Sequence, residues 1–506
     1  MERGQSLSPA NAGRANAAPR SDHLSARHAA MSTAPQTDAR TTKRDLTILM
    51  LAAFALYSLN VDFPLSGDSA IYSDYVLLGK FDEITLHLGY YVFLFVAHKL
   101  LGGLFGIPIQ ESAVWLNVAA GTLCVGVAYG LARELFGTRR DALLCAVIFG
   151  LSGRVLANAT TSEIYMLQTL FVLSSFFLFA RDRVVLSGLL SGGAMLVSPL
   201  SAFAYLYYPV YDYYRARRIR WSVLFRLSGA ALVVYLPYLI VDGRELLYGD
   251  RGLLIIRELQ PLDLRTMLAN FPIYQFKAFT LLPLLLIPML FAWRTNKWIL
   301  ALALAVGIPH IYLILKLTGE DHVFILNTDF FFVCCVVIGW RQLEKLKVGR
   351  WIASMLLLGH VALFVASGVM HSFQPHREYA DEMRRIAKTY LLGRDAIMVT
   401  EWGHAVTLAF YGRPQITTTV IREPLFQDQI YNIQTNPLPP ITKLDRSEIF
   451  LLDPWAPSPL NRLMRSKDKI EASRLEHSVA SIAERELHLR CDLVEETVHR
   501  VYKCVR

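Results

Sequence analysis

The chain has 506 residues, is 54% hydrophobic with a mean hydropathy of +0.35, and carries a formal net charge of +9. Apolar content at this level excludes a purely globular soluble protein and points to several membrane spans. The Lys and Arg residues sit in short runs between apolar stretches, where they orient spans, so the basic balance does not imply a nucleic-acid partner.

Residues 1–43 are rich in Ala, Ser, Arg and Thr and lack the apolar core of a signal peptide, which predicts a disordered cytoplasmic N-terminus, with Met31 as an alternative start to Met1. Span one, 46–63, follows Lys43 and Arg44 and therefore starts inside. The apolar segment 87–107 carries Lys99, and counting it as a span puts Arg139 and Arg140 outside the cell. It is read instead as an interfacial or half-inserted helix within an outer loop, 62–112. Spans 113–136, 141–157, 164–180, 184–199, 200–214, 221–241, 273–293, 298–315, 328–340 and 351–370 then alternate in direction, and each inner loop collects basic residues. Those are Arg139 and Arg140; Arg181 and Arg183; Arg215, Arg217, Arg218 and Arg220; Arg294 and Lys297; and Arg341, Lys345, Lys347 and Arg350. The expected fold is thus mainly α: a polytopic helical membrane protein of about eleven spans. Residues 44–370 form the transmembrane domain, with the amino terminus inside and the carboxyl terminus outside.

The tail, 371–506, alternates an amphipathic helix at 379–391, a strand at 396–400, a helix-like stretch at 406–411 and a strand at 449–453, a small extracytoplasmic α/β domain. Cys491 and Cys504 bracket an expected terminal hairpin, as a disulfide or as two free thiols. Cys124, Cys145, Cys334 and Cys335 lie in apolar segments without CxxC spacing and read as buried hydrophobes, and no His or Cys cluster predicts a metal site. Single His310 and His360 read as interhelical hydrogen-bonding groups. The Tyr205 to Tyr214 group, Trp298, Trp340 and Trp351 read as interface anchors.

The candidate chemistry lies in the outer segments. Asp68, in Gly67-Asp68-Ser69 directly after span one, has two readings: a helix N-cap, and a carboxylate at the membrane surface acting as general base on an acceptor hydroxyl. Glu163 lies in the short outer turn before the span at 164–180 and faces the same vestibule, either as a solvated turn carboxylate or as an acid lining a hydrated cavity. Cations available to a phosphate are Arg154, Lys316 and His322, while Arg244, Arg251 and Arg257 read as part of a surface helix.

These residues also carry a resemblance. Gly67-Asp68-Ser69-Ala70-Ile71-Tyr72, with His87-Leu88-Gly89-Tyr90-Tyr91 about twenty residues on, resembles the aspartate-containing first loop and the following His-Pro-Pro-Gly-Tyr segment of GT-C membrane glycosyltransferases. Glu163-Ile164-Tyr165-Met166-Leu167 resembles the Glu-Val-Tyr-x-Leu signature of the protein O-mannosyltransferase-like and aminoarabinose-transferase-like branch, and the likeness covers residues 45–215. It implies an inverting transfer of a sugar from a polyprenyl-phosphate donor, with Asp68 as general base, Glu163 as a second acid, and Tyr72, His87 and Tyr165 at substrate-binding positions. Gly319-Glu320-Asp321-His322 resembles the late loop that presents a cation to the lipid phosphate, with His322 in that place. The prolines after His87 are missing, and Ser69 stands where many relatives carry a second acid. The resemblance therefore names no required cofactor and leaves a divalent metal open. The implied partners are the lipid-linked sugar, a glycan, lipid or protein acceptor, and membrane lipids, in a multi-pass protein of the inner cell membrane.

Two other classes stay open: a transporter or flippase of lipid-linked sugars, and a non-catalytic membrane protein with an outer interaction domain. Against the first stand the absence of a P-loop and of repeated Gly/Pro-broken halves. Against the second stands the pair of outer acids.

Overall fold

A computed structural model describes residues 37–61, 72–73, 75–77, 79, 87–248, 275–276, 278–292, 296–305, 307, 326–366, 375–400, 408, 417–420, 448–454, 489–496 and 499–505. It divides into two units, 1–47 and 48–506. The first described helix, α1, runs Thr37–Leu59, beginning inside the stretch expected to be disordered. A helix nucleated by an apolar run propagates into its polar flank because each added residue contributes one more backbone bond.

Next come α2 (Leu88–Phe105), α3 (Ile109–Phe136), α4 (Arg139–Gly150), α5 (Gly153–Thr160), α6 (Tyr165–Ala180) and α7 (Val184–Val197). A 3-10 turn at Pro199–Leu206 leads into α8 (Tyr207–Ala216) and α9 (Trp221–Tyr248), and another at Leu282–Leu285 leads into α10 (Leu286–Phe291). The helical part closes with α11 (Asn296–Ala305), α12 (Leu326–Leu343) and α13 (Gly349–Phe364). Against about eleven expected spans, three helices among the described residues are long and apolar enough to cross a membrane: Leu88–Phe105, Ile109–Phe136 and Trp221–Ile240. The expected span 141–157 is a broken helix, since α4 and α5 meet at 58°. Gly150, Ser152 and Gly153 supply the break, and the Tyr57 hydroxyl donates to the Gly150 carbonyl at 3.0 Å, so that acceptor is not stranded in the apolar interior.

Close helix packing rests on small residues. An added Cβ at Gly188 would overlap the Leu227 carbonyl, and one at Gly192 would meet the Ala231 carbonyl at 2.5 Å. This four-residue spacing lets α7 and α9 touch backbone to backbone. The tyrosines expected as interface anchors are partly core: Tyr207 and Tyr208 are fully buried among Phe176, Phe179 and Phe331. Their hydroxyls find internal partners, Tyr207 donating to the Asn327 carbonyl at 3.0 Å and Tyr208 bonding Ser175 at 2.6 Å, which removes the need for water. Trp340 is likewise buried, whereas Trp351 is exposed. His360 bonds the Thr280 hydroxyl at 2.9 Å, the interhelical role expected of a single buried histidine.

Polar contacts also cluster at the two ends of the bundle. At one end the basic loops interlock: Arg181 with Glu134 at 2.7 Å, Arg215 with Asp182 at 2.8 Å, Arg220 with Asp212 at 2.6 Å, and Arg341 with Asp141 at 2.8 Å. Arg140 reaches Glu344 at 2.9 Å at the same end. At the opposite end, α2 touches three neighbours along its length. His87 bonds the Val197 carbonyl at 2.9 Å, Phe93 packs on Phe171 with centroids 5.4 Å apart, and His98 bonds Ser112 at 3.4 Å. Val197 and Ser112 lie at or near the same ends of α7 and α3, so His87 and His98 both stay at that bundle end, while Phe93 reaches Phe171 in the middle of α6.

The tail carries α14 (Pro375–Ile386), continued by one π-type turn, Ala387–Leu391, and strands β1 (Ala396–Thr400), β2 (Thr417–Val420), β3 (Glu448–Pro454), β4 (Arg490–Glu496) and β5 (His499–Val505). The sheet order is β2-β1-β3-β5-β4, with β1 parallel to β2 and β3 and the last hairpin antiparallel. Met383, Ile386, Leu391, Met398, Phe450, Leu452 and Val501 form its core. Cys491 and Cys504 face each other across β4 and β5 and are joined by a disulfide. The expected helix at 406–411 lies outside the described residues apart from Leu408.

Candidate active site

The candidate site is the bundle end where the start of α2 lies near the turn between α5 and α6. Tyr72 is buried there, edge-on to His87, Tyr90 and Tyr91 with centroids 5.8, 5.3 and 5.4 Å away. The Val197 carbonyl can only accept, so the His87 Nδ1 carries the proton in that bond and Nε2 is the acceptor of the neutral ring. The next turn of α2 is locked by Gly89, where a Cβ would meet Leu196 C and Val197 N at 2.8 Å. A residue without a side chain is required for His87 and Tyr90 to sit this close to α7.

Glu163 follows α5 in an extended turn, half-buried, with Tyr165 opening α6 two residues on. Its backbone is held from α3: the Asn117 amide donates to the Thr161 carbonyl at 2.6 Å and to the Glu163 carbonyl at 2.5 Å. The Glu163 carboxylate acts electrostatically on the buried Tyr90 hydroxyl. Tyr72, His87, Tyr90 and Glu163 are thereby gathered into one neighbourhood.

Arg154, expected to serve a lipid phosphate, is instead fully buried in α5 and forms an ion pair with Asp329 of α12, whose side chain is also fully buried. Around this pair, Thr169 donates to the Asn327 side chain at 2.9 Å and Asn158 donates to the Arg154 carbonyl at 2.9 Å. Asp68, Lys316 and His322 lie outside the described residues. Asn117 and Asp329 were missed by sequence reasoning. Asp329 had a signal, an acid inside the expected span 328–340; Asn117 had none beyond being a polar residue in an apolar helix. Among the described residues no three His, Cys, Asp or Glu side chains converge as a metal site.

No protein-family model and no curated protein matches the chain by sequence. Two solved structures of ArnT from Cupriavidus metallidurans do match in three dimensions. The apo form superposes with a TM-score of 0.60 at 15% identity, over 90% of this chain and 97% of that one. The form bound to undecaprenyl phosphate gives 0.58 at 14% identity over the same shares. The chain therefore shares the fold of these ArnT structures.

Proposed function

We propose that this protein is a GT-C-type membrane glycosyltransferase that moves a sugar from a polyprenyl-phosphate donor to an acceptor on the outer face of the membrane, with inversion. The observation that carries this reading is the gathering of Glu163, His87 and Tyr72 at one bundle end within a fold shared with ArnT, whose structure has been solved with undecaprenyl phosphate. Asp68 enters the chain between α1 and Tyr72 and takes the role of general base. It removes the acceptor proton as that oxygen attacks the anomeric carbon and the phosphate departs. Glu163 is the second acid, and Tyr72, His87 and Tyr165 bind substrate. His87 does so as a neutral hydrogen-bonding ring, which leaves Lys316 and His322 as cations for the leaving phosphate. No step is routed through a metal.

The topology that accompanies this reading has about eleven spans, the amino terminus in the cytoplasm, α2 at the outer interface and the tail outside. The disulfide between Cys491 and Cys504 supports an oxidising location for the tail. The test is Asp68→Asn, assayed with a panel of polyprenyl-phosphate sugars by thin-layer chromatography. Sugar transfer is expected to vanish while membrane insertion and yield stay unchanged. Retained transfer removes Asp68 as the base, and translocation of the sugar lipid across proteoliposomes without a new glycosidic bond favours a transporter instead.

A further inference from the structure

We infer that Asn117 is the positioning residue for Glu163, an inference that rests on the reading of Glu163 as an acid of the active site. Asn117 is the ninth residue of α3, fully buried, and places a primary amide where the surrounding helix is otherwise small or apolar. A buried amide is costly unless its hydrogens are used, and both are. They go to two carbonyls two residues apart, Thr161 at 2.6 Å and Glu163 at 2.5 Å. The fork pins the extended backbone at Thr161, which has φ −119° and ψ 169°, and the residue carrying the carboxylate.

Two further contacts leave the turn little room. One helical turn along α3, Gly121 lies so close to α5 that an added Cβ would meet the Ala159 side chain at 2.6 Å. On the other side, the buried Tyr90 hydroxyl sits in the field of the Glu163 carboxylate. Glu163 is therefore set between α3 and α2, and the Asn117 amide ties its backbone directionally to α3. The amide touches neither substrate nor a reacting atom. Its effect is to fix where the carboxylate stands, and a displacement of about 1 Å at such a group costs up to roughly 100-fold in rate.

The experiment uses the full-length protein in nanodiscs, with kcat and KM measured on a polyprenyl-phosphate sugar that the wild type turns over and Kd measured with undecaprenyl phosphate. Asn117→Asp keeps the side-chain shape and exchanges the donating amide for a group that repels both carbonyls; Asn117→Leu removes the donors. Both are expected to lower kcat by roughly 10- to 100-fold. KM and Kd should stay close to wild type, while the melting temperature falls because two buried carbonyls lose their donor, so kcat is taken per mole of folded protein. The decisive arm is the cycle with Glu163→Gln: if Asn117 acts through Glu163, adding Asn117→Asp to Glu163→Gln lowers kcat no further. Multiplicative losses, or full kcat in Asn117→Asp, overturn the inference and leave Glu163 in the site. Full kcat in Glu163→Gln alone removes Glu163 from the site and takes the inference with it.

Discussion

Asp329→Ala is expected to be the most damaging single change in the helical bundle. The side chains of Asp329 and Arg154 are both fully buried and each neutralises the other's charge between α12 and α5. Removing the carboxylate leaves a guanidinium in an apolar interior, and breaking a buried pair from one side costs about 3–5 kcal/mol because the surviving charge is uncompensated. Against a typical folding stability of about 5–15 kcal/mol, that is enough to deplete folded protein. The measurement is thermal unfolding of the detergent-solubilised protein, followed by fluorescence-detected size exclusion. The double variant Arg154→Leu/Asp329→Leu is the control, since replacing a whole buried pair by apolar groups is often neutral. The reasoning predicts a large drop in melting temperature for the single change and recovery of most of it in the double. A single variant that melts like wild type, or a double variant as unstable as the single, refutes it.

Four further outcomes are expected. A reporter active only outside the cytoplasm, fused after residue 506, should give signal, and Cys491→Ser with Cys504→Ser should destabilise the tail by about 3 kcal/mol, the entropy of a loop with sequence separation 13; a cytoplasmic signal overturns the topology. Burial and the hydrogen bond to Glu495 raise the Tyr390 pKa to about 12, so the folded tail favours the neutral phenol: this contribution is full below pH 10, lost as pH rises through 12, and absent in Tyr390→Phe, checked by alkaline unfolding of both proteins. Gly192→Leu should abolish folded yield, because its side chain would collide with the Ala231 carbonyl, whereas leucine at Gly103, which has open space around it, should be tolerated.

Hydropathy located the helices because membrane burial demands long apolar runs, and it found α3, α6 and α7 to within a few residues of 113–136, 164–180 and 184–199. The alternation of β-branched and apolar residues located β1 at 396–400 to the residue, and β3 within one at either end. The kink between α4 and α5 was legible in Gly150, Ser152 and Gly153, yet an apolar count alone reads through it as one span. The Arg154–Asp329 pair was not legible, since its partners are 175 residues apart and only packing brings α5 against α12. For the same reason Arg154 looked available to a phosphate. The burial of Tyr207 and Tyr208 was hidden because a tyrosine at a helix end has one sequence signature whether its hydroxyl meets water or Ser175.

The segment 87–107 decides whether the two acids share a face. By length and composition α2 equals a span: 18 residues make a rod of about 27 Å, close to the apolar thickness of a bilayer. Counting it as a crossing moves Glu163 to the side opposite Asp68 and places the basic loops of 139–140, 181–183, 215–220 and 341–350 outside. Two independent lines oppose that. The first is charge, because those basic loops pair with neighbouring acids at one end of the bundle, the clustering that the positive-inside rule expects of cytoplasmic loops. The second is contact, because a crossing helix would touch its neighbours at progressively deeper levels. The opening of α2 instead meets Val197 at the end of α7 and its middle returns to Ser112 near the start of α3, with Phe93 between them packing on Phe171 in the middle of α6. Most of α2 is exposed, with Val92, Phe95, Val96, Leu100 and Leu104 available to lipid. The proposed chemistry requires the Asp68 loop and Glu163 to share one face, which holds only if α2 is not counted as a crossing.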